Sequence, residues 1–264
     1  MQVERVPRQP EGGRRRGLVI GVPIDALSWE EARERLLGWA RARASRYVCI
    51  CNVHSVVTAR QDANFMQVVE QADMATPDGA PVAWSLRRAG FAAQQRINGP
   101  DLMWKLCADA VAQGVSIGFY GSTPETLELL RARLREEFPA LQVAYCVSPP
   151  FRSLSAMEDE AICQEINASG AGLLFVGLGC PKQESWMAAH RGRVQAVMLG
   201  VGAAFDYHAG TIGRAPLWMR NAGLEWLHRL CSEPRRLWRR YLFTNSAFIW
   251  HTFRQSMQGG GGKR

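Results

Sequence analysis

The sequence predicts an α/β fold, in which a mainly parallel sheet flanked by helices is followed by a helical C-terminal appendage rich in basic and aromatic residues. Short apolar runs alternate with longer amphipathic stretches, as in βα units around a parallel sheet. The 264 residues are 47% hydrophobic, which is enough for a substantial core. After residue 213, tryptophans and other large apolar residues are interleaved with arginines.

The apolar runs predict five strands, at residues 47–51, 115–120, 143–147, 173–177 and 196–200. Two sequences between them are typical of helix starts. SWEE at 28–31 is a capping box that opens a helix to residue 44, and STPE at 122–125 opens a helix to residue 138.

The composition divides the chain into four parts. Residues 1–16 are polar and arginine-rich, lack the apolar stretch of a secretory signal, and are predicted to be a disordered basic tail. Residues 17–213 form the predicted α/β domain. Residues 214–256 form the appendage, with a helix break expected at Pro234, and residues 257–264 are predicted to be a flexible tail. The sequence has no run of about 18 apolar residues, so a membrane-spanning helix is not expected.

Charge and cysteine content limit the function classes. The formal net charge is +8, and residues 214–264 alone hold ten Lys and Arg against Glu225 and Glu233, which also amounts to +8. An anionic partner is therefore expected at that end. The seven cysteines are scattered without a CxxC pair, which argues against a disulfide framework or structural zinc and fits a reducing cytoplasm.

Two segments that follow apolar runs could bring polar groups to the carboxyl edge of the sheet, where ligands of open α/β sheets bind. TPDG at 76–79 places Asp78 there, although the local residues alone favour a helix N-cap or turn aspartate. GLGCPKQE at 177–184 is a glycine turn that could offer backbone N–H groups to an anion. It matches neither GxGxxG nor the Walker A spacing.

A third segment, GVGAAFDYHAG at 200–210, places Asp206 and His208 near the same edge. Asp206 either anchors its loop or binds a ligand, and His208 is expected to be a local hydrogen-bond partner.

The appendage adds arginines on segments that should pack against the domain. Arginine suits bidentate contact with phosphate, including a departing diphosphate.

Several of these segments occur together in one order. They are TPDG (76–79), RINGPD (96–101), GCPKQE (179–184), GVGAAFD (200–206), RAP (214–216), GLEWLHRL (223–230) and EPRR (233–236). This ordered set resembles the WecG/TagA/CpsF glycosyltransferases over roughly residues 17–253. The resemblance implies that the sheet is Rossmann-like.

The resemblance also implies an activity, because bacterial members of this family are inverting enzymes that build exopolysaccharide, capsule or related glycopolymers. They transfer a sugar from a UDP-sugar to a saccharide on a polyprenyl-diphosphate carrier. Asp78 matches the general base. The matching donor-sugar and nucleotide positions are Asn52, Arg96, Asn98, Gly179, Gln183, Gly202 and Asp206. Arg229, Arg236 and Arg239 of the appendage are expected to contact the diphosphate.

Further expectations concern partners and location. The family often has Thr two residues before Asn52, but Ile50 stands here, so the donor sugar need not be N-acetylmannosamine; glucose, glucuronic acid, N-acetylmannosamine and its uronic acid stay open. Without a DxD motif, arginines rather than a metal are expected to stabilise UDP, and no cofactor is expected. The resemblance implies a peripheral protein on the anionic inner face of the cytoplasmic membrane. A homo-oligomer stays open.

Two other classes of protein explain part of the sequence. A nicotinamide-dependent oxidoreductase on a doubly wound sheet predicts a GxGxxG turn after an early strand, which the sequence lacks. A nucleic-acid-binding protein explains the basic C-terminus by phosphate contacts but leaves TPDG and GCPKQE without a role. No nucleic-acid partner is therefore expected.

Overall fold

A six-stranded parallel sheet forms the centre of the molecule, with strand order β4-β3-β8-β7-β5-β6. The computed structural model describes residues 13–259, without the side chains of residues 256, 258 and 259. The strands of this sheet are β3 (Arg46–Cys51), β4 (Met74–Pro77), β5 (Ile117–Gly121), β6 (Val143–Val147), β7 (Leu173–Gly177) and β8 (Val197–Gly200). The predicted fold class is confirmed, and each of the five predicted strands is present within two residues of its predicted ends.

Helices connect and cover these strands. They are α1 (Trp29–Arg41), α2 (Val53–Gln61), α3 (Ala63–Gln71), α4 (Ala80–Arg88), α5 (Gly99–Gln113), α6 (Pro124–Glu137), α7 (Ala156–Ser169), α8 (Lys182–His190), α9 (Ala204–Ala209), α10 (Leu217–Asn221), α11 (Glu225–Ser232) and α12 (Pro234–Gly259). The predicted capping box starts α1, because Ser28 Oγ accepts from the Glu31 amide at 3.1 Å and Glu31 Oε2 accepts from the Ser28 amide at 2.7 Å.

The sheet separates two apolar clusters. Side chains of a strand alternate between its faces, so Val48 and Ile50 of β3 join one cluster, while Cys49 and Cys51 join the other. Both faces are therefore buried, as parallel sheets require. With both faces covered, ligands can reach the sheet only at its ends.

Near the start of the described residues, β1 (Arg16–Val19) and β2 (Val22–Asp25) form an antiparallel hairpin that the sequence did not predict. The Asp25 carboxylate is buried and accepts from Arg14 Nε at 3.0 Å, from Arg16 Nε at 3.3 Å and from the Ala75 amide at 2.6 Å. Residues 14–16 are therefore ordered, and the prediction of a disordered tail through residue 16 was wrong there. Residues 1–12 lie outside the described part of the chain.

The appendage consists of α10, α11 and α12, and α12 starts at Pro234, where a helix break was predicted. Helix α12 packs along α2 and reaches the hairpin, where Gln255 Oε1 accepts from the Ile20 amide at 3.1 Å. It continues to Gly259, so residues 257–259 are helical rather than part of a tail, while residues 260–264 are not described. Among residues 13–259, no helix is long and apolar enough to cross a membrane.

Candidate active site

A cleft of about 910 Å³ opens at the carboxyl ends of four adjacent strands, β4, β3, β8 and β7. The segments that follow these strands form one wall, and α11 and α12 of the appendage form the opposite wall. This position agrees with the usual ligand site of open α/β sheets. The cleft is therefore the candidate active site, and the appendage completes it.

Asp78 lines the cleft directly after β4. Its amide donates to the Cys51 carbonyl at 2.9 Å, which fixes the residue at the end of the sheet. Gly79, with φ of 84°, is the N-cap of α4, so the Asp78 carboxylate is not held as a side-chain cap. Burial raises the pKa of Asp78 to about 6; the nearby Arg96 lowers it, and the carboxylates of Glu225 and Asp101 raise it. Asp78 is thus a stronger base than an exposed aspartate and is still mainly ionised at pH 7.

The loop that carries Arg96 lies beside Asp78 because it is bonded to β4, where the Ile97 amide donates to the Pro77 carbonyl at 2.9 Å. Arg96 forms an ion pair of 3.1 Å with Glu225 of α11. Arg214 approaches the other oxygen of Glu225 at 3.6 Å. A carboxylate from the appendage therefore joins Arg96, which lines the cleft, to Arg214, which does not.

Asn98 and Asp101 extend this network. The Asn98 side chain caps α5 by accepting from the Asp101 amide at 3.0 Å, and it donates to Asp101 Oδ2 at 2.7 Å. Asp101 pairs in turn with Arg214 at 2.7 Å. Asn98 lines the cleft as predicted, but its amide is already engaged within the protein.

Gln183 connects two of the glycine turns. Its Oε1 accepts from the amides of Gly179 and Gly202, each at 3.2 Å, and its Nε2 donates to Glu184 at 2.9 Å. All four residues line the cleft. These two amides are used inside the protein, so neither the Gly179 amide nor the Gly202 amide is free to donate to an anion. Gln183 instead holds the turns after β7 and β8 together.

Asn52 and His54 lie after β3 on the floor of the cleft. Asn52 Oδ1 accepts from the Ser55 amide at 3.1 Å and caps α2. Burial and the nearby Arg240 lower the pKa of His54 to about 4, so this imidazole is neutral at pH 7. It can exchange hydrogen bonds with a ligand without adding charge.

Arg229 of α11 and Arg240 of α12 lie on the appendage wall. The Nε atoms of both are buried without a hydrogen-bond partner, and within the described residues neither forms an ion pair with a carboxylate. Burial and the charge of Arg229 lower the pKa of Arg240. Two guanidinium groups that repel each other in one cleft favour a bound anion between them.

The predicted site residues do not all converge. Those that line the cleft are Asn52, Asp78, Arg96, Asn98, Gly179, Gln183, Gly202 and Arg229. Asp206 does not; its carbonyl accepts from the Thr211 amide at 3.1 Å, so it anchors its own loop. His208 was predicted as a local partner and lies 2.9 Å from the Pro100 carbonyl.

The placement of Arg236 and Arg239 also differs from the prediction. Both are exposed: Arg236 pairs with Glu233, and the Arg239 guanidinium lies 5.2 Å from the Trp238 ring centroid. Leu237, Thr244 and Phe248 are the buried positions of α12. At 100° per residue, Arg240 falls beside this face and Arg239 falls opposite it, which is why Arg240 reaches the cleft instead.

Sequence reasoning assigned no role to Arg214, Glu225 or His54, and left Arg240 out of the diphosphate set. Arg214 and Glu225 stand within two of the ordered segments, RAP and GLEWLHRL, which was the available signal. His54 is two residues after Asn52, and nothing in the sequence separates it from a surface histidine.

The cleft holds a base of raised pKa and two arginines that have no carboxylate partner among residues 13–259. This arrangement suits an enzyme that moves a group from an anionic leaving group to a second substrate. Residues 18–261 match the Glycosyl transferase WecG/TagA/CpsF family. The match spans nearly the whole chain, so the protein belongs to this family of glycosyltransferases. Its substrates are a sugar donor and an acceptor.

Proposed function

We propose that the protein is an inverting hexosyltransferase that moves a sugar from a UDP-sugar to a polyprenyl-diphosphate-linked saccharide during synthesis of an exopolysaccharide, capsule or related cell-surface polymer. One observation carries the proposal: Asp78 on the sheet wall and Arg229 with Arg240 on the appendage wall line the same cleft. An inverting displacement needs a base on one side of the anomeric carbon and stabilisation of the leaving diphosphate on the other.

The reaction uses these groups in one step. The acceptor hydroxyl oxygen attacks the anomeric carbon while Asp78 takes the hydroxyl proton. The bond from the anomeric carbon to the diphosphate oxygen breaks, and UDP leaves with the bonding electrons. Arg229 and Arg240 neutralise the charge that develops on the diphosphate. We assign to these arginines, without a metal, the role of stabilising UDP.

Other predicted residues are assigned by what remains available on their side chains. The amide nitrogen of Asn52 has no hydrogen-bond partner among residues 13–259, so it can donate to a donor-sugar hydroxyl. Arg96 contacts the sugar or its diphosphate. Gln183 and Asn98 act by holding the surrounding loops, because their own polar atoms are occupied.

The proposed location is the inner face of the cytoplasmic membrane, with the appendage as the contact surface. Its exposed large apolar residues are Leu217, Trp218, Trp226, Leu227, Trp238, Leu242, Phe243, Ile249, Trp250, Phe253 and Met257. Exposed arginines at 235, 239 and 254 lie on the same helix as most of them. Apolar and basic residues together suit an anionic lipid interface, where each Lys or Arg contributes about 1 kcal/mol.

The decisive experiment incubates the purified protein with a panel of UDP-sugars and short-chain polyprenyl-diphosphate-linked saccharides. UDP release that depends on both substrates is expected, with inversion at the anomeric carbon. A parallel sample with EDTA should retain activity. If no donor and acceptor pair is turned over while the protein retains DNA or RNA on a filter, the proposal fails in favour of a nucleic-acid-binding protein.

A further inference from the structure

A second cavity of about 620 Å³ adjoins the cleft. Four residues line both the cleft and the second cavity, namely Ala80, Arg87, Arg96 and Asn98. Asp78 and the glycine turns belong to the first cleft alone. The second cavity therefore begins where the proposed donor site ends, within reach of the base.

The lining of the second cavity is cationic. Its charged residues are Arg33, Arg87, Arg96, Lys105 and Arg220 against Glu30 and Asp101. Arg87 donates from one guanidinium nitrogen to the Gln94 carbonyl at 3.0 Å. Within the described part of the chain, neither Arg87 nor Lys105 forms an ion pair with a carboxylate. Two positive charges are thus available to an anion.

The cavity also offers an aromatic surface. Trp29, the first residue of α1, lines it, and Lys105 Nζ lies 5.6 Å from the centroid of the Trp29 ring. Indole rings pack against apolar C–H groups, which the face of a sugar ring presents, and a cation at the ring edge or face remains free to meet an anion. An aromatic plane beside a cation suits a saccharide that carries negative charge.

The network of ion pairs lies between the cleft and the second cavity. Arg96 with Glu225 forms one part, at 3.1 Å, and Asp101 with Arg214 forms the other, at 2.7 Å. On the far side, α10 contributes Arg220 and Asn221 to the second cavity and exposes Leu217 and Trp218 to solvent. A ligand in this cavity therefore lies between the base and an apolar surface of the appendage.

We propose that the second cavity is the subsite for the anionic part of the acceptor, a phosphate or carboxylate attached to its saccharide, so that donor and acceptor bind on opposite sides of Arg96. This inference rests on the proposed function and extends it to the acceptor. Lys105 and Arg87 bind the anion, and the Trp29 ring packs against a face of the sugar. The acceptor hydroxyl then extends past Ala80 to Asp78.

Charge reversal at Lys105 tests this subsite. In Lys105→Glu the KM for the acceptor should rise about tenfold, while the KM for the UDP-sugar stays within about twofold, because the charge lies outside the donor cleft. Arg135→Glu is the matched control: Arg135 is an exposed residue near the end of α6 that lines neither hollow. Thermal unfolding of both variants should match the parent. An unchanged acceptor KM, or an equal rise in donor KM, overturns the proposal.

A binding measurement separates this inference from the proposed function, because it needs no turnover. Geranyl-diphosphate-linked monosaccharide is titrated calorimetrically into protein saturated with UDP. Lys105→Glu should weaken its binding about tenfold relative to Arg135→Glu. Loss of the difference with a neutral alkyl glycoside supports the subsite and identifies the phosphate as the anion. If the two variants again differ in their binding of an alkyl glucuronide, the result supports the subsite and identifies a carboxylate as the anion. An equal difference with the neutral glycoside overturns it.

Discussion

The loops at the sheet edge and the appendage build the two walls of one cleft, but they are held in different ways. Hydrogen bonds fix the loops: the Asp78 amide donates to the Cys51 carbonyl, and the Gln183 side chain accepts from the amides of Gly179 and Gly202. By contrast, α10 and α11 contain no buried residue. The base is thus preset by the fold, whereas the diphosphate contact from Arg229 of α11 depends on the docking of a loosely packed element.

The positive charges on the appendage wall couple binding of the donor to docking of the appendage. Arg229 and Arg240 add two like charges to the cleft, which opposes docking of the appendage until an anion lies between them. A diphosphate that binds only the docked state stabilises that state by mass action. UDP-sugar binding and closure of the appendage are therefore expected to favour each other.

The largest effect on turnover is expected for a substitution of Asp78, which lies on the sheet wall of the cleft. Asp78→Asn should lower kcat on the order of a hundredfold or more, because the amide cannot accept the acceptor proton, while UDP binding stays close to that of the parent. Asp206→Asn is the control, a carboxylate near the same edge but outside the cleft, and should change kcat by less than about tenfold. Single-turnover rates and UDP titration measure both. Near-parental turnover in Asp78→Asn would remove Asp78 from the mechanism.

A pair of adjacent arginines tests the appendage wall. Arg240→Gln should weaken UDP binding about tenfold, because it removes a charge-assisted contact to the diphosphate. Arg239→Gln removes the same charge from the exposed face of α12 and should leave UDP binding within about twofold of the parent. Calorimetric titration with UDP compares them. Equal losses in the two variants would show that net charge, and not a position in the cleft, governs binding.

Docking of the appendage can be weakened at one close approach. Gly223 has φ of 73°, and a Cβ added there would lie 2.8 Å from the Ala80 Cβ. Gly223→Ala should therefore lower kcat/KM about tenfold by holding the appendage away from α4. Gly210→Ala shares the positive φ, 77°, but meets no atom within 4 Å. It isolates the backbone strain and should cost activity less than about threefold; equal effects would argue against the docking explanation.

The smallest effect is a displacement of the pH profile. Asp78 must be deprotonated to act as a base, so kcat/KM should fall as pH drops through about 6. Removing the Glu225 charge, and leaving Arg96 without that partner, should lower the pKa of Asp78. In Glu225→Gln the fall of kcat/KM on the acidic side of the pH profile should therefore move to lower pH. In Glu225→Asp, which keeps the charge, the fall should occur at the same pH as in the parent. A fall that does not move in Glu225→Gln would show that Glu225 does not act on Asp78.

Much of the sheet was predictable because its central strands are buried on both faces and therefore appear as apolar runs, as at 173–177 and 196–200. The hairpin of β1 and β2 was missed because each strand has only four residues, and because its anchor, Asp25, pairs with arginines that look like a charged tail. Helix ends with local signals, such as Ser28 with Glu31, were predictable from neighbouring residues alone.

By itself, the amino-acid sequence determined the α/β class, the position of Asp78 at a strand end and the basic character of the C-terminal region, because each depends on residues close together in the chain. Only the tertiary structure decided that Arg240 rather than Arg239 faces the cleft, that Asp206 is excluded from it, and that Glu225 meets Arg96. The outcomes for Arg240 and Glu225 depend on how α11 and α12 are rotated and placed against the sheet edge, and the outcome for Asp206 depends on the placement of α9 after β8. Long-range packing sets these placements.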